Sequence, residues 1–302
     1  MSYRKGLLEL PDSREVEALV GFVPAGRRTL HEWPLSCVEL ISSEPFGGEE
    51  AEGGADYRIL KSQLARASVE GAFYRYAKKI GGHPLLLDLP ECGEKAGSAG
   101  AKSAGGTEWL VLPYCPGKAE DWTALSNEAL RARVRELSAS FRPLDGAPVF
   151  IDWTDRERFL EDLEADLAAL VSGGGEDPDL LSGEERDELF YRIEGDAAVC
   201  WAEEIPVGLV HGDLKGDNLL VSGPGGSSVK VIDWQRPMRA PLPLEEELSL
   251  LLTRPESRSS GPFHRLACAA EAHWYAWAWR TCLPWPFVRM TAVKYARMCL
   301  RV

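Results

Sequence analysis

The chain is short of positive charge: 34 of its 302 residues are Lys or Arg against 47 Asp or Glu, a net charge of −13. That balance excludes the clustered basic face on which nucleic-acid binding relies, and it suits a cationic small partner better. Long apolar runs are missing as well. The opening MSYRKGLLELPDSREVEALV is interrupted by charge every few residues, so neither a signal-peptide core nor a membrane span is predicted. The seven cysteines, at 37, 92, 115, 200, 268, 282 and 299, are odd in number and form no C-x-x-C pair. Scattered thiols of this kind predict a reducing, cytoplasmic setting. Histidine is scarce too, with five in the whole chain, which leaves little material for a histidine-based metal centre.

What remains is an ordinary globular composition, 45% apolar, long enough to bury a core as one large domain or two lobes. The first third bears strands, at Val38–Ser42 and Tyr57–Lys61, followed by a helix over Ala65–Ile80 ended by Gly81 and Gly82. Pro84–Leu89 and Trp109–Pro113 are two further apolar runs of strand length, and the low-complexity stretch Glu91–Thr107 between them reads as a mobile loop. Beyond Asn127 helical periodicity dominates, at Asn127–Phe141, Asp155–Val171, Glu184–Glu204, Glu245–Thr253, Phe263–Leu283 and Val288–Leu300. No fixed-period repeat is visible. Pattern alone therefore gives an α+β class, strand-rich first and helical afterwards.

The chemistry is concentrated in His211–Leu220, HGDLKGDNLL, and Val231–Trp234, VIDW. Between Asn218 and Asp233 lie the apolar run Leu219–Val221, the turn-forming GPGGSS and the apolar run Val229–Ile232. That order predicts a β-hairpin, which brings Asn218 and Asp233 side by side. An Asp, an Asn five residues on and a second Asp after a hairpin are the set needed for ATP-dependent phosphoryl transfer. In that reading Asp213 would accept the proton of an attacking hydroxyl, and Asn218 and Asp233 would hold Mg²⁺. Ordinary loop residues are the bland alternative. A metal hydrolase using His211, Asp213 and Asp217 is the chemical competitor, and it lacks a second histidine cluster.

At these residues the chain resembles the aminoglycoside phosphotransferase and choline kinase group, whose catalytic loop is similar to HGD-x-x-x-x-N followed by IDW or IDF. The resemblance covers residues 30–290 and implies a bilobal protein-kinase-like fold, with a small strand-rich lobe over 1–114 and a larger, mainly helical lobe over 115–302. It implies Asp213 as catalytic base, Asn218 and Asp233 as metal ligands, ATP and Mg²⁺ as cofactors, and a small-molecule alcohol as acceptor. The spelling DLKGDN also looks like the loop of serine/threonine protein kinases, in which the lysine, here Lys215, touches the γ-phosphate. Lys61, at the end of YRILK, and Glu70, in the following helix, match the strand lysine and helix glutamate that steady the α- and β-phosphates. The run WLVLPYCPG resembles the hinge between lobes, where the C=O of Pro113 and the N–H of Cys115 would read adenine.

Two features depart from the pattern. The expected glycine-rich phosphate cover reads HEWPLS and holds no glycine, which leaves Ser36 and Cys37, or Gly47 and Gly48, to supply N–H groups. No further Asp follows VIDWQ at the family's usual place. For the acceptor, Trp274, Trp277, Trp279 and Trp285 offer either core packing, the preferred reading, or an aromatic cage for a quaternary ammonium. Glu245–Glu247 either face a cationic acceptor or begin a helix, and Asp152 is a further acidic candidate. The resulting expectation is a kinase of a small-molecule hydroxyl, on an amino sugar, amino alcohol or related metabolite. A catalytically silent kinase-like nucleotide-binding protein is the alternative, and a protein kinase, for which D-F-G and A-P-E are lacking, ranks below it.

Overall fold

The computed structural model describes residues 3–46, 56–87, 106–171, 180–256 and 259–301. The mobile loop expected over Glu91–Thr107 falls mostly outside them, as do Gly47 and Gly48. In chain order the strands and helices are β1 (Tyr3–Lys5), β2 (Leu8–Leu10), α1 (Ser13–Val20), β3 (Gly26–Trp33), β4 (Ser36–Ser42), β5 (Tyr57–Leu64), α2 (Glu70–Lys79), β6 (Thr107–Pro113) and β7 (Lys118–Ala119). Then come α3 (Asn127–Ala139), β8 (Ile151–Asp152), α4 (Arg156–Leu170), α5 (Gly183–Cys200), β9 (Val207–Val210), β10 (Leu219–Ser222), β11 (Ser228–Val231), β12 (Met238–Pro241), α6 (Leu244–Thr253), α7 (Pro262–Thr281) and α8 (Pro286–Arg301). Two compact units result: residues 1–120 with 218–235, and residues 121–217 with 236–302.

The first unit is built on the antiparallel sheet β3-β4-β5-β6. Strand alternation sends Leu60 of β5 to one face and Lys61 to the other. The Leu60 face is closed by α1, whose Val16 and Val20 pack with Ile41, Leu60 and Trp109. Sequence reading passed over α1, yet its start signal is present: Asp12 caps Arg14 and Glu15 while the Glu15 side chain accepts from the Asp12 N–H. On this unit's other side α2 begins at Glu70, five residues later than the helix expected from Ala65, because Ser68 is extended and its hydroxyl accepts from the Glu70 N–H at 3.0 Å. Gly71 permits the close approach of α2 to β6, since a Cβ there would stand 2.2 Å from Glu108 Oε1.

The expected strand at Pro84–Leu89 does not form in its described part, 84–87. Its carbonyls are used singly instead: Leu85 accepts from the Val231 N–H at 2.6 Å, and Pro84 and Leu86 accept from Lys230 Nζ at 3.0 and 2.8 Å. Proline has no N–H to give a ladder. The hairpin is as expected, with β10 and β11 antiparallel from Leu219↔Val231 to Ser222↔Ser228.

The second unit packs helices around α7, which is buried along most of its length, its few charged side chains paired with neighbours such as Arg236, Asp196 and Asp166. Its core joins Phe159, Leu163 and Leu167 of α4, Leu189 and Ile193 of α5, Leu248 and Leu251 of α6, and Ala292, Val293 and Ala296 of α8. α5 ends at Cys200 rather than at Glu204, ahead of Pro206. A short sheet β8-β12-β9 leads from Val210 directly into the loop that begins at His211. Asp12→Ala removes the α1 cap and is expected to lower unfolding stability by about 1 kcal/mol, read as a shift in the urea midpoint without change in slope; an unshifted midpoint would show that α1 contributes nothing.

Candidate active site

In the first unit the Lys61 face of the sheet carries an isolated charge cluster. Lys61 lies mid-ladder between Val38 of β4 and Leu110 of β6 and is 5% exposed. Its ammonium stands 2.6 Å from Glu70 Oε2 and 2.5 Å from Asp233 Oδ1. Burial alone would lower the lysine's pKa, but the Asp233 and Glu70 carboxylates outweigh it and hold the group above its ordinary value. Glu70 is fully buried, and burial lifts its carboxyl to about 7 against the pull of Lys61. A lone buried carboxylate or ammonium here would be untenable; each is present because the other is.

Asp233 reaches this cluster through an unusual backbone. It is the one non-glycine residue with positive φ among those described, at 66°, a region that Asp and Asn tolerate better than other side chains. The flanking chain holds it there. The Trp234 ring stacks on Phe73 of α2 at 4.3 Å and its Nε1 donates to the Val231 carbonyl, while the Gln235 carbonyl accepts from the Val69 N–H at 3.0 Å. Across the hairpin the Ile232 N–H donates to the Asn218 carbonyl at 2.9 Å, which places Asn218 beside the start of the Asp233 turn. Asn218 is itself buried.

This pair offers only hard oxygen donors, and no group of three or more His, Cys, Asp or Glu side chains able to hold a metal occurs among the described residues. Two oxygen ligands completed by phosphates and water fit Mg²⁺, which keeps several waters, and do not fit a self-sufficient zinc site. Pro113 ends β6 opposite Arg58, Tyr114 leans on Tyr57 at 5.5 Å, and Cys115 is partly exposed just beyond. The hairpin between β3 and β4 turns tightly at Pro34 and Leu35. Ser36 and Cys37 therefore lie buried within the β4 ladder, opposite Trp33 and Glu32.

In the second unit the loop 211–217 is held from beneath. His211 is fully buried and its Nδ1 accepts from the Asp213 N–H at 3.2 Å, so the ring serves the loop's shape. Gly212 has φ 81° and a Cβ there would meet the Arg236 carbonyl at 2.8 Å, so only glycine fits. The fully buried Glu245, in the first turn of α6, accepts from the His211 N–H that opens the loop. Sequence reading offered this glutamate as an acceptor contact or a helix start, and noted a missing acid after VIDWQ. Glu245 supplies that support; the only sequence signal was an acidic run at a helix start.

Asp213 Oδ1 has Lys215 Nζ at 3.3 Å and the Arg236 guanidinium at 3.9 Å. Arg236 is anchored by buried Glu271 at 3.1 Å and lies over the Trp274 ring at 4.9 Å. Neither Arg236 nor Glu271 was singled out from sequence. Trp274 also stacks on Trp277 at 5.3 Å, with Phe150 edge-on to both. A guanidinium and an indole thus cover the buried Trp274, whereas Trp285 is exposed and stacks on Phe287. Asp152 is exposed and paired with Arg158 at 2.6 Å, and Glu247 is taken by Arg131, Ser259 and His264.

The first unit thus pairs a strand lysine with a helix glutamate, as kinase-type sites do, and the second unit holds an HGD loop on a buried acid. A family model described as the phosphotransferase enzyme family matches residues 57–284, and the chain belongs to that family. It is a phosphotransferase with the protein-kinase-like fold. No curated protein matches the sequence. Among solved structures it is similar to an ethanolamine kinase of Plasmodium vivax, at 10% identity and a TM-score of 0.56 over 97% of this chain and 91% of that one. It is also similar to a choline/ethanolamine kinase family protein from Mesorhizobium loti, at 16% identity and 0.53 over 95% and 93%. A third is the aminoglycoside phosphotransferase APH(4)-Ia, as a thermostable mutant with ADP and hygromycin B, at 14% identity and 0.52 over 95% and 90%.

The buried Glu245 yields a pH test. Burial raises its carboxyl from 4.5 to about 7 in the folded chain, so folding takes up a proton there between those values. Its contribution to stability is greatest below pH 4.5 and declines as pH rises to 7, by up to roughly 3 kcal/mol. Glu245→Gln should flatten that decline relative to wild type in urea titrations at pH 5 and pH 8; parallel pH profiles would refute the assignment.

Proposed function

We propose that the protein is an ATP- and Mg²⁺-dependent kinase that phosphorylates a hydroxyl of a small molecule, an amino sugar, amino alcohol or related metabolite. The observation that carries this reading is Lys61, buried and held between Glu70 and Asp233. A cation that costly to bury is kept where a phosphate is to be met. Mg²⁺ at Asn218 and Asp233 would neutralise charge on the phosphates. Lys61 binds the α- and β-phosphates and Glu70 keeps its ammonium aimed. Pro113 and Cys115 offer the carbonyl and N–H that read adenine, and the residues up to 114 form the nucleotide lobe with 115–302 as the acceptor lobe.

Asp213 orients the acceptor hydroxyl and takes its proton as the bond to phosphorus forms. Arg236 and Lys215 hold the Asp213 carboxylate in position, and Lys215 would touch the γ-phosphate. Relatives of this fold include an ethanolamine kinase and an aminoglycoside phosphotransferase, and the net charge of −13 suits an amine-bearing acceptor. The described cysteines carry free thiols, which supports a reducing, cytoplasmic location. That Lys61, Glu70, Asp213, Asn218 and Asp233 are all retained favours an active enzyme over a silent nucleotide-binding protein.

Asp213→Asn is expected to bind Mg·ATP as wild type does while losing turnover by about 100-fold or more, measured by calorimetry and by ADP release; full turnover would remove Asp213 from its role. ADP release should rise with at least one member of a panel of aminoglycosides, choline, ethanolamine and sugars. Mg·ATP binding with no acceptor-dependent release across such hydroxyl compounds would favour the silent alternative.

A further inference from the structure

Tyr74 lies one turn beyond Glu70 on the same face of α2. Its side chain is 1% exposed, and among the described residues its hydroxyl has no hydrogen-bond partner. The Glu70 carboxylate beside it is also under-used: Oε2 meets Lys61 at 2.6 Å, and neither oxygen has another partner among the described residues. A buried donor and a buried acceptor thus stand a helical turn apart without being joined. Buried hydroxyls are hydrogen-bonded in nearly all folded proteins, so one left over points to a second state of the site in which it is used.

The packing shows which state. The Tyr74 ring is set edge-on to Phe73 at 6.3 Å, and Phe73 stacks on Trp234, the residue after Asp233. Phe73 therefore links Tyr74, one turn into α2, to the segment that presents Asp233. Burial, and then the nearby charges of Glu70 and Asp233, push the phenol well above its usual range, so the group stays protonated and able to donate. Without nucleotide, one lysine serves both Glu70 and Asp233. Phosphates drawing on the same three ammonium protons leave Glu70 short of donors.

We propose that the Tyr74 hydroxyl is the donor that then holds the Glu70 carboxylate in place behind Lys61, which makes Tyr74 a positioning residue of the nucleotide site. The proposal rests on the nucleotide-binding reading given above and adds to it a residue outside the lysine–glutamate–aspartate set. Tyr74→Phe separates it from a purely structural role, because a hydroxyl with no partner in the nucleotide-free chain contributes nothing to that chain's stability. The variant should bind Mg·ATP roughly five- to tenfold more weakly by calorimetry, with an unfolding midpoint, measured without nucleotide, equal to or above that of wild type. In a Glu70→Gln background the same change should cause no further loss of affinity, since Tyr74 acts through Glu70. Equal affinity of variant and wild type, a lowered nucleotide-free midpoint, or an additive loss in the double variant would each overturn the proposal. A wild-type chain that binds no Mg·ATP would remove the nucleotide reading and this inference together, whereas binding unaffected by Tyr74→Phe would remove only the inference.

Discussion

One ammonium group organises the first unit. Lys61 is a strand residue whose neighbours across the ladder, Val38 and Leu110, are apolar, and a charge in that position exists only with partners on hand. The two it has come from opposite directions in sequence: Glu70 from the helix that follows the strand, and Asp233 from a hairpin about 170 residues later. Holding both fixes the start of α2 and the segment after β11 against the same sheet face, and the aromatic stack of Phe73 on Trp234 repeats that constraint in apolar form.

The second unit solves a different problem, that of keeping an irregular loop rigid. The 211–217 loop has no ladder of its own, so its N–H groups need an acceptor, and a buried carboxylate from α6 provides one. Charge is balanced again nearby, where Glu271 on α7 anchors Arg236 next to Asp213. In both units the chemistry is carried by groups that would be too costly to bury singly, positioned by elements whose own stability comes from apolar packing.

Much of this was legible in the sequence. The helices after Asn127 announce themselves by period, the hairpin by its turn between two apolar runs, and the Lys61–Glu70 contact by the family resemblance rather than by pattern. What was missed shares a physical character. The loop-supporting role of Glu245, and Arg236 and Tyr74 altogether, depend on partners far away in the chain or on a missing partner, and a single residue type carries no trace of either. The strand expected at Pro84–Leu89 failed because apolarity says that a segment is covered, not that its N–H groups are laddered. The helix α1 had a complete start signal in Asp12 and Glu15 and was overlooked because it is only eight residues long and its apolar stripe is just Val16, Leu19 and Val20.

The left-handed backbone at Asp233 sets a limit on how this centre can be altered over evolutionary time. Chemical similarity and conformational similarity point to different replacements there: glutamate preserves charge but resists the twist, whereas asparagine accepts the twist and discards the charge. No single substitution satisfies both demands. Descendants of this sequence therefore have an easy route to an intact shell without the charge and no easy route to a longer-armed carboxylate, an asymmetry by which altered relatives of such proteins would be expected to keep their architecture.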